Sequence, residues 1–342
     1  MKKPLLLLAI SLLLLVVGIS RYNSATAVPA PYQQHTGTVF HTIYHITYQA
    51  DSNYHAQILQ LFREFDGSMS MFNDTSLITR LNNNDTTARA DRYFRTVFTK
   101  ACYVSERTSG AFDITVAPLV NLWGFGFKHS DNVTDHAVDS ILQFVGYKSV
   151  SLTPDGRLVK ADPRTILDAS SIAKGYMSDV VADFLREHGV SNFMVEIGGE
   201  IALSGQNPRG NDWTIGISRP VADSLQQEGD YQGYLHLSSG ALATSGNYRN
   251  FYINGGKRYA HTINPHTGHP IQTDVLSATV IAPDCMTADA FATAFMVMGK
   301  DSALNLLAQE PDVHGYLIIP SATDSTQLEV VYSEGFEQFI KQ

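Results

Sequence analysis

Four short segments combine residue types that handle charged oxygen. In Thr287-Ala288-Asp289-Ala290-Phe291-Ala292-Thr293-Ala294, Asp289 and Thr293 stand four apart, so on a helix they share one face. A carboxylate and a hydroxyl form a hard-oxygen pair that suits Mg²⁺, which takes few protein ligands and leaves room for substrate phosphates. The spacing fits a helix cap with an incidental threonine equally well. A buried carboxylate needs a partner or a metal, which tilts the segment towards function.

The second segment, Leu167-Asp168-Ala169-Ser170-Ser171-Ile172-Ala173-Lys174-Gly175-Tyr176, is a small-residue turn leading into a helix with Lys174 in its first turn. Helix-end amides and an ammonium group together suit a phosphate. The glycines and the Gly-Lys-Ser/Thr ending of a Walker A loop are missing. Taken alone, the segment reads more readily as a surface lysine in a helix's first turn. The third, Glu196-Ile197-Gly198-Gly199-Glu200, puts paired glycines between carboxylates that can read hydroxyl or amino groups. A bulge or turn accounts for the same spacing. The fourth, Ala260 to Pro270, carries His261, His266 and His269 in a loop stiffened by proline. Its spacing matches no common zinc pattern. One histidine suits a general base or phosphate contact, and the others suit loop scaffolding. The four segments together point to chemistry on a pyrophosphate.

The elements that must hold them are mixed. Alternation predicts a strand over Thr38 to Tyr48. Helical spacing predicts helices over Ala56 to Phe65, Arg92 to Thr108, Ser178 to His188, Thr287 to Met298 and Ser302 to Ala308. Strands are predicted at Phe193 to Ile197, Trp213 to Ile217, Tyr234 to Leu237, Ala241 to Thr244, Val313 to Ile319 and Leu328 to Tyr332. No regular βαβ rhythm appears, so the fold class is α+β, with antiparallel or mixed sheets flanked by helices.

The 33 acidic residues against 24 basic ones, a net charge of −9, exclude a sequence-blind nucleic-acid binder. A hydrophobic content of 44% excludes a disordered chain. Lys2 and Lys3 precede an apolar run from Leu5 to Ile19, and Ala25-Thr26-Ala27 offers a cleavage site. Residues 1–27 therefore read as a signal peptide or signal anchor, and residues 28–342 as the catalytic domain. The expected location is the periplasm or the outer face of the inner membrane. Cys102 and Cys285, far apart in sequence, read as two buried thiols; whether they pair stays open.

In this order, the four segments resemble the FAD:protein FMN transferases, the ApbE family. Supporting segments are Gly37-Thr38, Phe65-Asp66-Gly67-Ser68-Met69-Ser70-Met71-Phe72, Ser76 to Asn82, Gly110 to Leu119, Leu122-Trp123-Gly124-Phe125-Gly126, Ala243 to Arg249 and Gly256 to Tyr259. The resemblance runs from about residue 36 to beyond 330. It implies an ApbE-like, T-fold-like single catalytic unit with an FAD cleft. It further implies Mg²⁺-dependent transfer of FMN from FAD to a Thr or Ser of a target protein, with release of AMP.

By that resemblance, Asp289, Thr293 and a backbone carbonyl of the Ser170-Ser171 turn, Ser171 in particular, hold the metal. Lys174 lies near the dinucleotide and Glu200 contacts its adenosine portion, while Asp179 and Ser245 belong to the same pocket. His261 deprotonates the acceptor hydroxyl or orients the phosphate. The implied partner is a membrane redox subunit carrying an Asp-x-x-Ser/Thr-Gly-Ala/Ser-Thr motif. A near-miss at Glu106 to Phe112 has Phe112 in the acceptor's place, so no self-modification is expected there. Thr36, Ala169, Ser171, Glu196 and Asn264 depart from the family's usual residues, which bears on FAD contacts. The same site also suits an FAD pyrophosphatase yielding FMN and AMP, or a non-catalytic FAD-binding protein. The intact Asp289/Thr293 pair speaks against simple binding.

Overall fold

The computed structural model describes residues 29–125, 133–220, 230–247, 251–254, 257–324 and 327–340. The leader expected at 1–27 lies outside them, as do Gly126, Tyr248, Arg249 and Gly256 of the segments quoted above. Among the described residues no helix is long and apolar enough to cross a membrane.

The chain runs through β1 (Tyr32–Val39) and β2 (Thr42–Gln49), then helices α1 (His55–Met69), α2 (Leu77–Asn82), α3 (Arg92–Arg107), α4 (Ala117–Leu122) and α5 (Asp135–Leu142). The small hairpin β3 (Val150–Leu152) and β4 (Leu158–Lys160) leads to α6 (Ala173–Glu187). Next come β5 (Phe193–Ile197), β6 (Glu200–Ser204), β7 (Trp213–Ser218), β8 (Tyr231–Leu237) and β9 (Ser239–Gly246). β10 (Phe251–Asn254), β11 (Lys257–Ala260), β12 (Ser277–Ala282), α7 (Cys285–Met298), α8 (Lys300–Leu307), β13 (His314–Pro320) and β14 (Leu328–Tyr332) follow, with a short 3-10 turn at Phe336–Phe339 after them. The expected α+β class is observed.

One eight-stranded sheet, in the order β1-β2-β5-β6-β9-β12-β13-β14, organises the molecule. Every pairing in it is antiparallel. Its two faces differ in side-chain size. On one, Ala202, Ala241, Ala243, Ala278 and Ala282 join the core beneath the helices. On the other, Ile201, Leu203, Leu242, Ile281 and Ile318 meet Trp213, Ile215, Leu235 and Leu237 of the β7–β8 hairpin. Small residues let a helix approach a sheet closely, and large ones fill the gap beneath a hairpin. The helix seated on the alanine face is α7, buried on nearly all sides. Nearly continuous hydrophobicity is what a wholly buried helix requires.

The strand expected over Thr38 to Tyr48 is instead two strands. Phe40 and His41, with φ of 50° and 60°, turn the chain between them. Such turns favour Asn or Gly, and neither is present, so the alternating pattern reads straight through the bend. β6 and β12 carry no alternation signal, because β12 is buried at all its positions. The third expected helix starts earlier than Ser178, at Ala173.

Candidate active site

The turn between β1 and β2, the C-terminal end of α1, the 168–174 turn, the β5–β6 turn and one face of α7 surround a single cleft of about 1460 Å³. That volume exceeds the ~300–1,000 Å³ of ordinary small-molecule pockets and suits an elongated ligand.

The start of α7 is fixed by two carboxylates. Asp284 caps it by accepting from the Thr287 N–H at 2.7 Å, and Asp179 of α6 accepts from the Cys285 and Met286 N–H groups, both at 2.8 Å. Lys100 donates to Asp284 at 3.2 Å and to the Thr287 hydroxyl at 2.7 Å. Negative charge at a helix N-terminus is stabilising, and these acceptors satisfy amides that otherwise lack intrahelical partners. Asp289 then sits one turn along, with Thr293 one turn beyond it on the same face.

Asp289 is 3% exposed, and its Oδ2 accepts from the Gly175 N–H at 3.1 Å. Thr293 Oγ1 lies 3.1 Å from the Ser245 hydroxyl. Lys174 Nζ donates to Glu200 Oε1 at 2.9 Å. Glu200, 5% exposed, keeps its Oε2 buried with no hydrogen-bond partner. Burial alone would lower the Lys174 pKa, but the Asp289 and Glu200 carboxylates outweigh it and hold the ammonium above its ordinary value. Burial raises Glu200 to about 7 against the pull of Lys174, and raises Asp289 as well. Two buried carboxylates thus share one ammonium, which leaves the ionised site one negative charge in excess.

A hard cation answers that excess. The oxygen donors are the Asp289 carboxylate, the Thr293 and Ser245 hydroxyls and the orphaned Glu200 Oε2, with the Ser170-Ser171 turn also on the cleft wall. This all-oxygen set fits Mg²⁺, whose remaining positions go to water or substrate phosphate. No group of three or more His, Cys, Asp or Glu side chains able to hold a metal occurs among the described residues. A cation here would therefore depend on hydroxyl, backbone and ligand oxygens.

Asp289, Thr293, Lys174, Glu200, Ser245, Ser171 and His261 all line the cleft. Asp179 does not. Both of its oxygens are taken by the α7 amides, so its expected contact with the dinucleotide is corrected to a role in seating α7. Of the loop histidines only His261 lines the cleft, where its ring lies 6.5 Å from that of Phe125. His269 packs on Trp123 at 5.4 Å, and the Trp123 Nε1–H holds the Gly268 carbonyl at 2.7 Å, so that part of the loop is scaffold.

The expected alternatives at Gly198-Gly199 prove compatible. The two glycines form the tight β5–β6 turn, with φ of 70° and 103°, and also line the cleft. Phe112 is buried at 1% exposure. Cys102 and Cys285 are both free thiols.

Three features of the cleft and its supports escape sequence reasoning. Phe72, 68% exposed at the cleft wall, is an aromatic ring open to a planar ligand. His45 lines the cleft from β2. Gly175 is the third; a glycine in a helix weakens it unless a close approach demands one, and that is the only trace it leaves in the sequence.

Fold and cleft define an α+β protein whose described residues surround a large cleft with a cluster of oxygen donors on its wall. Comparison with known proteins then places it. The family model for "ApbE family" matches residues 40–317. The chain is 38% identical over 314 residues to the FAD:protein FMN transferase of Vibrio cholerae, covering 87% of this chain and 89% of that protein. It is 36% identical over 299 residues to the Haemophilus influenzae protein of the same name, covering 83% and 85%. Among solved structures, the flavin transferase ApbE from Vibrio cholerae superposes with a TM-score of 0.81 at 33% identity, covering 91% of this chain and all (100%) of that one. The apo flavinyl transferase ApbE of Pseudomonas stutzeri gives 0.79 at 27% identity, covering 92% and 98%. The chain belongs to the ApbE family.

Proposed function

We propose that this protein transfers FMN from FAD to a Thr or Ser hydroxyl of an acceptor protein and releases AMP. The reading is supported by its relatives' shared name and carried by one observation. Asp289 and Thr293 project from one face of α7 into the cleft beside Lys174, whose ammonium is held by two buried carboxylates.

Bound through Asp289, Thr293 and the Ser171 carbonyl, Mg²⁺ would neutralise charge on the diphosphate, the usual work of a metal in phosphoryl transfer. Lys174, kept protonated by its two carboxylates, presents a fixed positive charge to the phosphate oxygens. Glu200 holds Lys174 at 2.9 Å, so the ammonium need not reorganise when the ligand arrives. His261 accepts the proton of the acceptor hydroxyl, whose oxygen then attacks the FMN-side phosphorus. The P–O bond to the AMP moiety breaks, and AMP leaves carrying the bridging oxygen. Phe72 offers a face for the flavin ring.

The Lys2-Lys3 and Leu5 to Ile19 leader supports export to the periplasm or anchoring at its inner boundary, where the acceptor would be a membrane redox subunit. Purified protein mixed with FAD, Mg²⁺ and a peptide bearing the Asp-x-x-Ser/Thr-Gly-Ala/Ser-Thr motif is read by mass spectrometry. FMN mass on the peptide supports transfer. Free FMN and AMP with unlabelled peptide would make the protein a pyrophosphatase, and unchanged FAD would leave only binding.

A further inference from the structure

The cleft extends to both faces of the large sheet. Lys174, Glu200 and Asp289 meet on the helix-covered face. On the opposite face, three polar side chains form a row across adjacent strands: Thr36 on β1, His45 on β2 and Glu196 on β5. Thr36 is in register with His45, and His45 with Glu196. Their strand neighbours Tyr44, Ile46, Val195 and Ile197 are packed in the helix-side core, which fixes the row on the far face. Thr36 Oγ1 lies 3.1 Å from His45 Nδ1, and both His45 and Glu196 line the cleft.

Glu196 is the unexplained member. Its carboxylate is half-buried, and no hydrogen bond or ion pair takes it up among the described residues. Burial raises its pKa, with His45 only partly opposing the shift. A carboxylate in a cleft that admits a diphosphate should repel the ligand unless it accepts hydrogen bonds from it. The uncharged donors of a dinucleotide are chiefly hydroxyls, and two neighbouring hydroxyls can each donate to one oxygen of a carboxylate. An acidic side chain reading sugar hydroxyls is a recurrent solution in dinucleotide sites.

We propose that Glu196, in register beside the Thr36–His45 pair, is a diol-reading residue that binds vicinal hydroxyls of the substrate in the far-face arm of the cleft. The inference rests on the FAD reading given above. FAD carries such hydroxyls on the ribose of its AMP half and on the ribityl chain of its FMN half.

Calorimetric binding of FAD, AMP and FMN to the wild type, Glu196→Ala and Glu196→Gln in the presence of Mg²⁺ tests it. FAD affinity should fall about ten-fold or more in Glu196→Ala, the scale of a lost hydrogen bond to a charged group, and less in Glu196→Gln, which keeps one acceptor oxygen. A matching loss with AMP alone assigns the ribose, and with FMN alone the ribityl chain. Unchanged or tighter FAD binding in Glu196→Ala overturns the proposal, tighter binding being what a merely repulsive carboxylate would give. A loss seen with FAD but with neither half also overturns it. Glu196→Gln, nearly isosteric, keeps the test open if Glu196→Ala fails to fold. Absence of FAD binding to the wild type would instead overturn the flavin-transfer reading on which the inference stands.

Discussion

Gly175 and Asp289 lie against each other in a way that admits no larger residue at 175. The Gly175 N–H donates to Asp289 Oδ2 at 3.1 Å, and a Cβ at this glycine would stand 2.8 Å from the Asp289 Cβ and clash with the Cys285 carbonyl. Helices α6 and α7 are therefore locked at the point where Lys174 and Asp289 must face one ligand. Asp179, one turn further along α6, fastens the start of α7. The placement of Lys174 against Asp289 is a property of this helix pair.

Gly175→Ala should force the two helices apart. Overpacking of this kind costs about 1–3 kcal/mol, so the melting temperature falls while the protein still folds. Turnover should fall further than stability accounts for, by about ten-fold or more, because positional errors near reacting groups are costly. Thermal unfolding and initial rates on the same preparation separate the two effects.

Lys174→Met should leave Glu200 and Asp289 facing one another without their cation. Removing one partner of a buried pair costs about 3–5 kcal/mol, and the low end applies because Lys174 keeps part of its side chain in solvent. The double variant Lys174→Met/Glu200→Gln should regain most of that stability and still bind FAD poorly. Denaturant unfolding beside FAD titration checks both halves of the statement.

Asp179 gives the ligand-free protein a pH signature. Burial lifts its pKa from 3.8 to about 7, against the two amides it accepts from. Between those values the folded state binds more protons at this group than the unfolded state does, so its contribution to stability declines as pH rises from about 4 to 7. Asp179→Asn removes that titration. Its melting temperature relative to wild type should climb across the same pH window. A constant difference would contradict the assignment.

Much of this was legible in the sequence for a physical reason. Asp289 and Thr293, like the helix around them, follow a local period that survives folding. β5 and β14 were readable at their observed limits, Phe193–Ile197 and Leu328–Tyr332, because their flanks are plain turns. The β1–β2 hairpin was hidden because Phe40 and His41 adopt positive φ without the residues that advertise it. Asp179 was assigned to the ligand because a carboxylate near Lys174 resembles a binding group. Only tertiary packing reveals that its oxygens belong to the neighbouring helix. The Thr36–His45–Glu196 row was invisible for the same reason, since its members come from three strands.

The central claim, that the Asp289 face of α7 drives transfer of FMN to an acceptor, is tested most directly by following AMP release and acceptor-peptide mass together in wild type and Asp289→Asn. Asparagine keeps an acceptor for the Gly175 N–H while removing the charge and one ligating oxygen. The account predicts one AMP released for each FMN attached by wild type, and a loss of about 10²-fold or more in both signals for the folded variant. Labelling of the peptide by Asp289→Asn at the wild-type rate would contradict it.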